Sequence, residues 1–160
     1  MRLRWCISRR TFFRYFPSKE ALVFPHRTDR LRRFLDFLQS APEDESPFDT
    51  LRRAGRYFGA EYIENRIHFI TQQQLIRSSP ALQAVEREID QDWEAAMARI
   101  ISERSGPGAG AELRARVLAG ATLGVIRATV RHWYLGGGED DLVRLGMEAL
   151  DCLERGFPLD

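Results

Sequence analysis

Ser8-Arg-Arg-Thr-Phe-Phe-Arg-Tyr-Phe-Pro-Ser-Lys-Glu-Ala-Leu22 is the stretch whose reading decides what this chain is. Taken as a helix, residues 9–16 place Phe12 and Phe16 four positions apart on one apolar face. The remaining faces carry Arg9, Arg10, Thr11, Phe13, Arg14 and Tyr15. Ser8 offers a hydroxyl that can accept from the orphan amides of the first turn. Pro17 cannot continue the helix, and Ser18 stands where it can cap a new one. A short basic helix, anchored by two aromatics and turning sharply into a second helix, suits insertion into a DNA major groove, where arginines reach guanine edges and phosphates.

These residues resemble the recognition helix and following turn of the tetracycline-repressor (TetR) family of bacterial regulators. That signature runs small/Val-Ser-X-X-Thr-aromatic-Tyr/Phe-X-His/Tyr-Phe-X-Ser/Asn-Lys-Glu-X-Leu, and the chain fits almost every position over about 15 residues. The resemblance implies an all-α fold. A helix-turn-helix head with its linker helix would occupy residues 1–40, and a helical ligand-binding and dimerisation domain residues 46–160. It implies that Thr11 and Phe13 contact bases and backbone, that Arg9 and Arg10 tune the sequence read, and that Tyr15 and Lys19 hold phosphates. Ser8 and Arg14 complete the DNA-facing set. Phe13 stands where tyrosine is commoner, which removes a possible hydroxyl–phosphate bond. Only seven residues precede Ser8, where the family places two further helices, and Trp5 and Cys6 replace the usual Ala-Gly. The expectation is an N-terminally incomplete head.

Charge is distributed in the same sense. Residues 1–35 hold ten Lys/Arg against Glu20 and Asp29, whereas the other 125 hold fourteen basic and twenty-one acidic residues. A basic head on an acidic body suggests a polyanion-binding end, since phosphate contacts supply most non-specific affinity. Cys6 and Cys152 form neither a disulfide framework nor a thiolate metal site. No apolar run reaches 18 residues, so no membrane span is expected, and a reducing cytoplasm is the consistent location.

The body reads as a series of helices. Residues 18–39 form the linker, with a break near Val23-Phe24 forced by Pro25. Ser46-Pro47 starts a helix running to about Asn65, a further helix spans about Arg66 to Arg77, and Ser79-Pro80 repeats the start signal. Leu82, Val85, Ile89, Trp93, Ala96 and Ile100 then follow at helical spacing. The glycines of residues 106–110 break the chain. A helix from Ala111 to Leu135 carries a stripe of Leu113, Val117, Ala121, Gly124 and Ala128, against which another helix can approach closely. Gly136-Gly-Gly138 ends it, and Asp140 or Asp141 caps a last helix to about Arg155. No segment alternates with period two.

The resemblance further implies a small-molecule effector enclosed by the central helices. Candidate contacts are Tyr57, Tyr62, Phe69, Gln73, Trp93, Met97 and Arg127, which combine aromatic walls with a few polar anchors. It also implies a homodimer through the last two helices, which would present two recognition helices to a near-palindromic double-stranded operator. The expected function is thus a DNA-binding transcriptional regulator, a repressor released by its ligand. The alternative is a helical dimeric ligand- or protein-binding module that does not bind DNA. His26, His68 and His132 are isolated, without metal-ligand spacing or a nucleophile setting, so no catalytic residue, metal or cofactor is expected.

Overall fold

The computed structural model describes residues 20–25, 27–106 and 108–156. The recognition stretch with its proposed DNA contacts, Ser8 to Lys19, lies outside the described residues. Those described form seven α-helices and no strand: α1 (Glu20–Val23), α2 (Arg27–Gln39), α3 (Pro47–Glu64), α4 (Arg66–Arg77), α5 (Pro80–Ser105), α6 (Ala111–Leu135) and α7 (Leu142–Arg155). Among the described residues the fold is all-α, as expected.

Local chemistry sets the boundaries. Phe24 and Pro25 lie in the break between α1 and α2, because proline removes a helical donor and restricts the residue before it. Ser46 accepts from the amide of Asp49 at 3.1 Å, and Ser79 from that of Leu82 at 3.4 Å, each followed by proline at the first helical position. Of the two candidate aspartates it is Asp141 that caps α7, accepting from the Arg144 amide at 3.0 Å. Gly137 and Gly138 take φ of 79° and 71°, conformations that the α6–α7 turn requires and that L side chains resist.

The long helices α5 and α6 pack together. Helix α7 lies against α6 and α3, α2 rests on α3 and α5, and α4 covers α5. One core cluster joins Phe34 and Leu38 of α2, Leu51 and Ala54 of α3, Met97 and Ile100 of α5, Ala119 of α6 and Leu150 of α7. A second gathers Phe69, Trp133 and Leu142. Trp133 is buried, and its indole donates to the Asp140 carbonyl at 2.9 Å, so its polar edge is satisfied. Gly55 of α3 faces the flexible end of Met147 on α7, whose Cε would lie 2.9 Å from a Cβ there. Arg52 fastens the same pair of helices through Asp151, at 2.7 Å, and Glu154.

The α6 stripe points away from this core. Leu113 and Val117 are 67% and 61% exposed, and a Cβ on Gly124 would meet nothing within 4 Å. The inward face of α6 is formed instead by Ala115, Ala119, Thr122 and Leu123.

Candidate functional site

Five helices line a partly open cavity of about 120 Å³. Helix α2 supplies Arg30 and Phe34; α3 supplies Leu51, Phe58 and Tyr62; α5 supplies Trp93. Helix α6 adds Thr122, Val125 and Thr129, and α7 adds Leu142, Gly146 and Leu150. The position of Gly146 explains much of the space. It falls one turn from both Leu142 and Leu150, which are buried, so the inward stripe of α7 lacks a side chain at its middle. A Cβ at Gly146 would meet no atom within 4 Å.

The aromatic wall is continuous. Phe34 lies 5.6 Å from Phe58 and 5.0 Å from Trp93, centroid to centroid. Such tilted pairs add to the burial energy of the rings themselves. Tyr62 is held from two sides: the Arg30 guanidinium sits 4.9 Å above its ring, and Phe69 meets it edge-on at 4.4 Å. Arg30 and Tyr62 also line an outer groove with Pro25, Asp29, Arg33, Glu61, His68 and Gln72, so their stack lies between the inner cavity and that groove. Thr122 is only 1% exposed, and its Oγ1 is the one buried side-chain polar atom among the described residues that has no hydrogen-bond partner.

Helix α2 is held near both ends. At its C-terminal end Arg104 of α5 donates to the carbonyls of Ala41 at 2.8 Å and Pro42 at 2.7 Å. Towards its N-terminal end the contacts include the Arg30–Tyr62 stack, the ion pair of Arg33 with Glu61 and the Arg33 guanidinium over the Phe58 ring. Gln72 of α4 donates to the Val23 carbonyl and ties α1 to the body.

A polar set lies off the cavity, between α4, α5 and α6. Gln73 donates to Glu86 at 3.3 Å, and Arg127 to Asp90 at 3.2 Å. Desolvation pushes both carboxyls above their ordinary range, and the contacts from Gln73 and Arg127 oppose that rise without cancelling it.

Of the seven residues singled out from sequence as effector contacts, Tyr62 and Trp93 line the inner cavity. Phe69 backs Tyr62 and faces the outer groove. Met97 is wholly buried within the main core cluster. Gln73 and Arg127 belong to the polar set, and the Arg127 side chain is 55% exposed and paired, so it calls for no buried anion. Tyr57 is 56% exposed and stacks on Phe37 at 5.5 Å, outside the cavity. Sequence reasoning missed Arg30, Phe34, Phe58, Thr122 and Gly146. The signal available was a threonine and a glycine on the inward faces of α6 and α7, where larger apolar residues usually pack. Among the described residues no group of three or more His, Cys, Asp or Glu is placed to hold a metal ion. No described helix is long and apolar enough to cross a membrane.

Comparison with known proteins agrees with this architecture. The family described as the MftR C-terminal domain matches residues 45–158, which take in α3 to α7. The chain is 29% identical over 153 residues to the HTH-type transcriptional regulator TcmR of Streptomyces glaucescens, an alignment that covers 90% of this chain and 67% of that protein. It is 28% identical over 154 residues to MftR of Mycobacterium tuberculosis, a transcriptional regulator named for mycofactocin biosynthesis, covering 91% of this chain and 77% of that one. The chain belongs to the TetR family of transcriptional regulators, with a C-terminal domain of the MftR type.

Proposed function

We propose that this regulator is a repressor that binds operator DNA as a homodimer through residues 8–19 and is released when a small molecule fills the inner cavity. The observation that carries the reading is the double position of α2. Its residues Arg30 and Phe34 form part of the cavity wall, and its N-terminal end leads back to the recognition stretch. A ligand pressing on Phe34 or on the Arg30–Tyr62 stack acts on that end, while Arg104 holds the other. Displacing α2 in both protomers changes the separation of the recognition elements, and two half-sites can no longer be met together. The ligand shifts the equilibrium only by the difference in its affinity for the two arrangements.

Exposed Leu113 and Val117, with Gly124 open beside them, support pairing through α6 and α7. An apolar stripe of this kind suits a two-fold helical interface. The test uses DNA from the chain's own promoter region and a scrambled duplex of equal length. Arg9→Ala and Thr11→Ala should lower the preference for promoter over scrambled DNA, by about 1–3 kcal/mol where the side chain reads a base edge. Lys19→Ala should weaken binding to both duplexes alike and reduce the salt slope by about one. If neither DNA responds to any of the three, the reading of residues 8–19 is wrong.

A further inference from the structure

We infer that the effector is an amphipathic monoanion, whose apolar body occupies the inner cavity and whose single carboxylate meets the Arg30 guanidinium at the edge shared with the outer groove. The inference rests on the reading of the inner cavity as the effector site, and adds the sign of the ligand's charge and the residue that receives it. Three observations converge on it.

The first is the chemistry of the lining. Among the described residues Arg30 is the one charged side chain on the inner cavity, and no carboxylate lines it. Apart from Tyr62, Thr122 and Thr129 the other lining residues are apolar, which suits a hydrocarbon body. A charge on the ligand is costly against such a wall unless it is paired. The one partner on offer is positive, so the favoured charge is negative.

The second is the state of Arg30. Its guanidinium lies 4.9 Å from the centroid of the Tyr62 ring, and no described residue forms an ion pair with it or accepts a hydrogen bond from it. A guanidinium presents five N–H donors in a planar fork that matches a carboxylate. The ring supplies no oxygen acceptor for them.

The third is the charge balance of the outer groove. There Arg32 pairs with Asp29 at 3.1 Å and Arg33 pairs with Glu61. Arg30 adds a third arginine, and the described lining holds no third carboxylate. One negative charge completes the set. A second would meet Asp29 and Glu61, and like charges repel. Because Arg30 belongs to α2, the carboxylate competes with Tyr62 for a contact near the N-terminal end of that helix.

The test is calorimetric titration of the full chain at fixed ionic strength, repeated on Arg30→Gln and Arg30→Lys. The probes are toluene, 4-phenylbutyrate, its neutral amide, 4-phenylbutylamine and 3-phenylpropyl phosphate. Toluene reports the apolar cavity alone, and the others carry different charges on similar bodies. Wild type should bind toluene, and should bind 4-phenylbutyrate about 3- to 10-fold tighter than the amide, as for a charge-assisted contact partly open to solvent. The amine should be the weakest. Arg30→Gln should bring the carboxylate down to the level of the amide and leave toluene unchanged, whereas Arg30→Lys should keep the carboxylate ahead of the amine. Equal affinity of wild type for carboxylate and amide overturns the anionic ligand and leaves the cavity reading intact, a comparison that needs no variant to fold. A carboxylate preference that survives in Arg30→Gln overturns the assignment to Arg30. Tighter binding of the phosphate than of the carboxylate overturns the single charge. Failure of every probe, toluene included, overturns the cavity reading as well.

Discussion

Replacing Gly146 by alanine should stabilise the protein, which is unusual for a change inside a packed helix pair. Gly146 sits within α7 between buried Leu142 and Leu150, and a Cβ there would meet no atom within 4 Å. Helix propensity favours alanine. Relieving glycine of its helix-interior penalty is worth about 1 kcal/mol. The added methyl would enter open space, so it contributes little packing of its own. No overpacking cost opposes that gain. The gain is about 1 kcal/mol, or roughly 2–4 °C in Tm for a chain of this size. Urea and thermal unfolding at one protein concentration measure it, since the proposed dimerisation would make the midpoint concentration-dependent. Gly146→Leu should occupy the same space more fully and abolish binding of toluene. A Gly146→Ala variant less stable than wild type would refute the reasoning, because it would mean that no room exists between Leu142 and Leu150.

Further predictions concern other surfaces. Val117→Glu places a charge on the outward stripe of α6; it should leave monomer folding unchanged and shift sedimentation from dimer to monomer, and an unchanged dimer would remove that face from the interface. Glu86 has a folded-state pKa raised by desolvation, so its contribution to stability is fully present below the ordinary carboxylate range and is lost as pH rises through the folded value. Glu86→Gln keeps an acceptor for Gln73 without the ionisation cost. Its stability relative to wild type should therefore improve between pH 4 and pH 7.5, and a pH-independent difference would contradict the desolvation argument.

The helix starts were readable because their determinants are local. Ser46-Pro47 and Ser79-Pro80 each combine a capping hydroxyl with a pre-set φ, and both open helices where expected. Pro25 marks the break before α2 for an equally local reason. The cavity was not readable in the same way, because it depends on which inward faces fail to fill the space between them. Tyr57 and Tyr62 have the same chemistry, but five residues turn a helix by about 140°, so one stacks on Phe37 outside and the other lines the cavity. Arg127 finds its counter-ion, Asp90, thirty-seven positions earlier on another helix, a pairing that no local pattern announces. Thr122 and Gly146 are small residues on apolar stripes, and their significance appears only once α2, α3 and α5 close over them.

The central claim is that this chain reads a specific DNA sequence through residues 8–19. The most direct measurement is the affinity of the 160-residue chain for its own promoter DNA and for a scrambled duplex, across a salt series. The account predicts a preference for the promoter of at least about 10³-fold at physiological salt, and a steep linear fall of log affinity with log salt on both duplexes. Equal affinity for the two duplexes, or none for either beside an intact helical dimer, would contradict it.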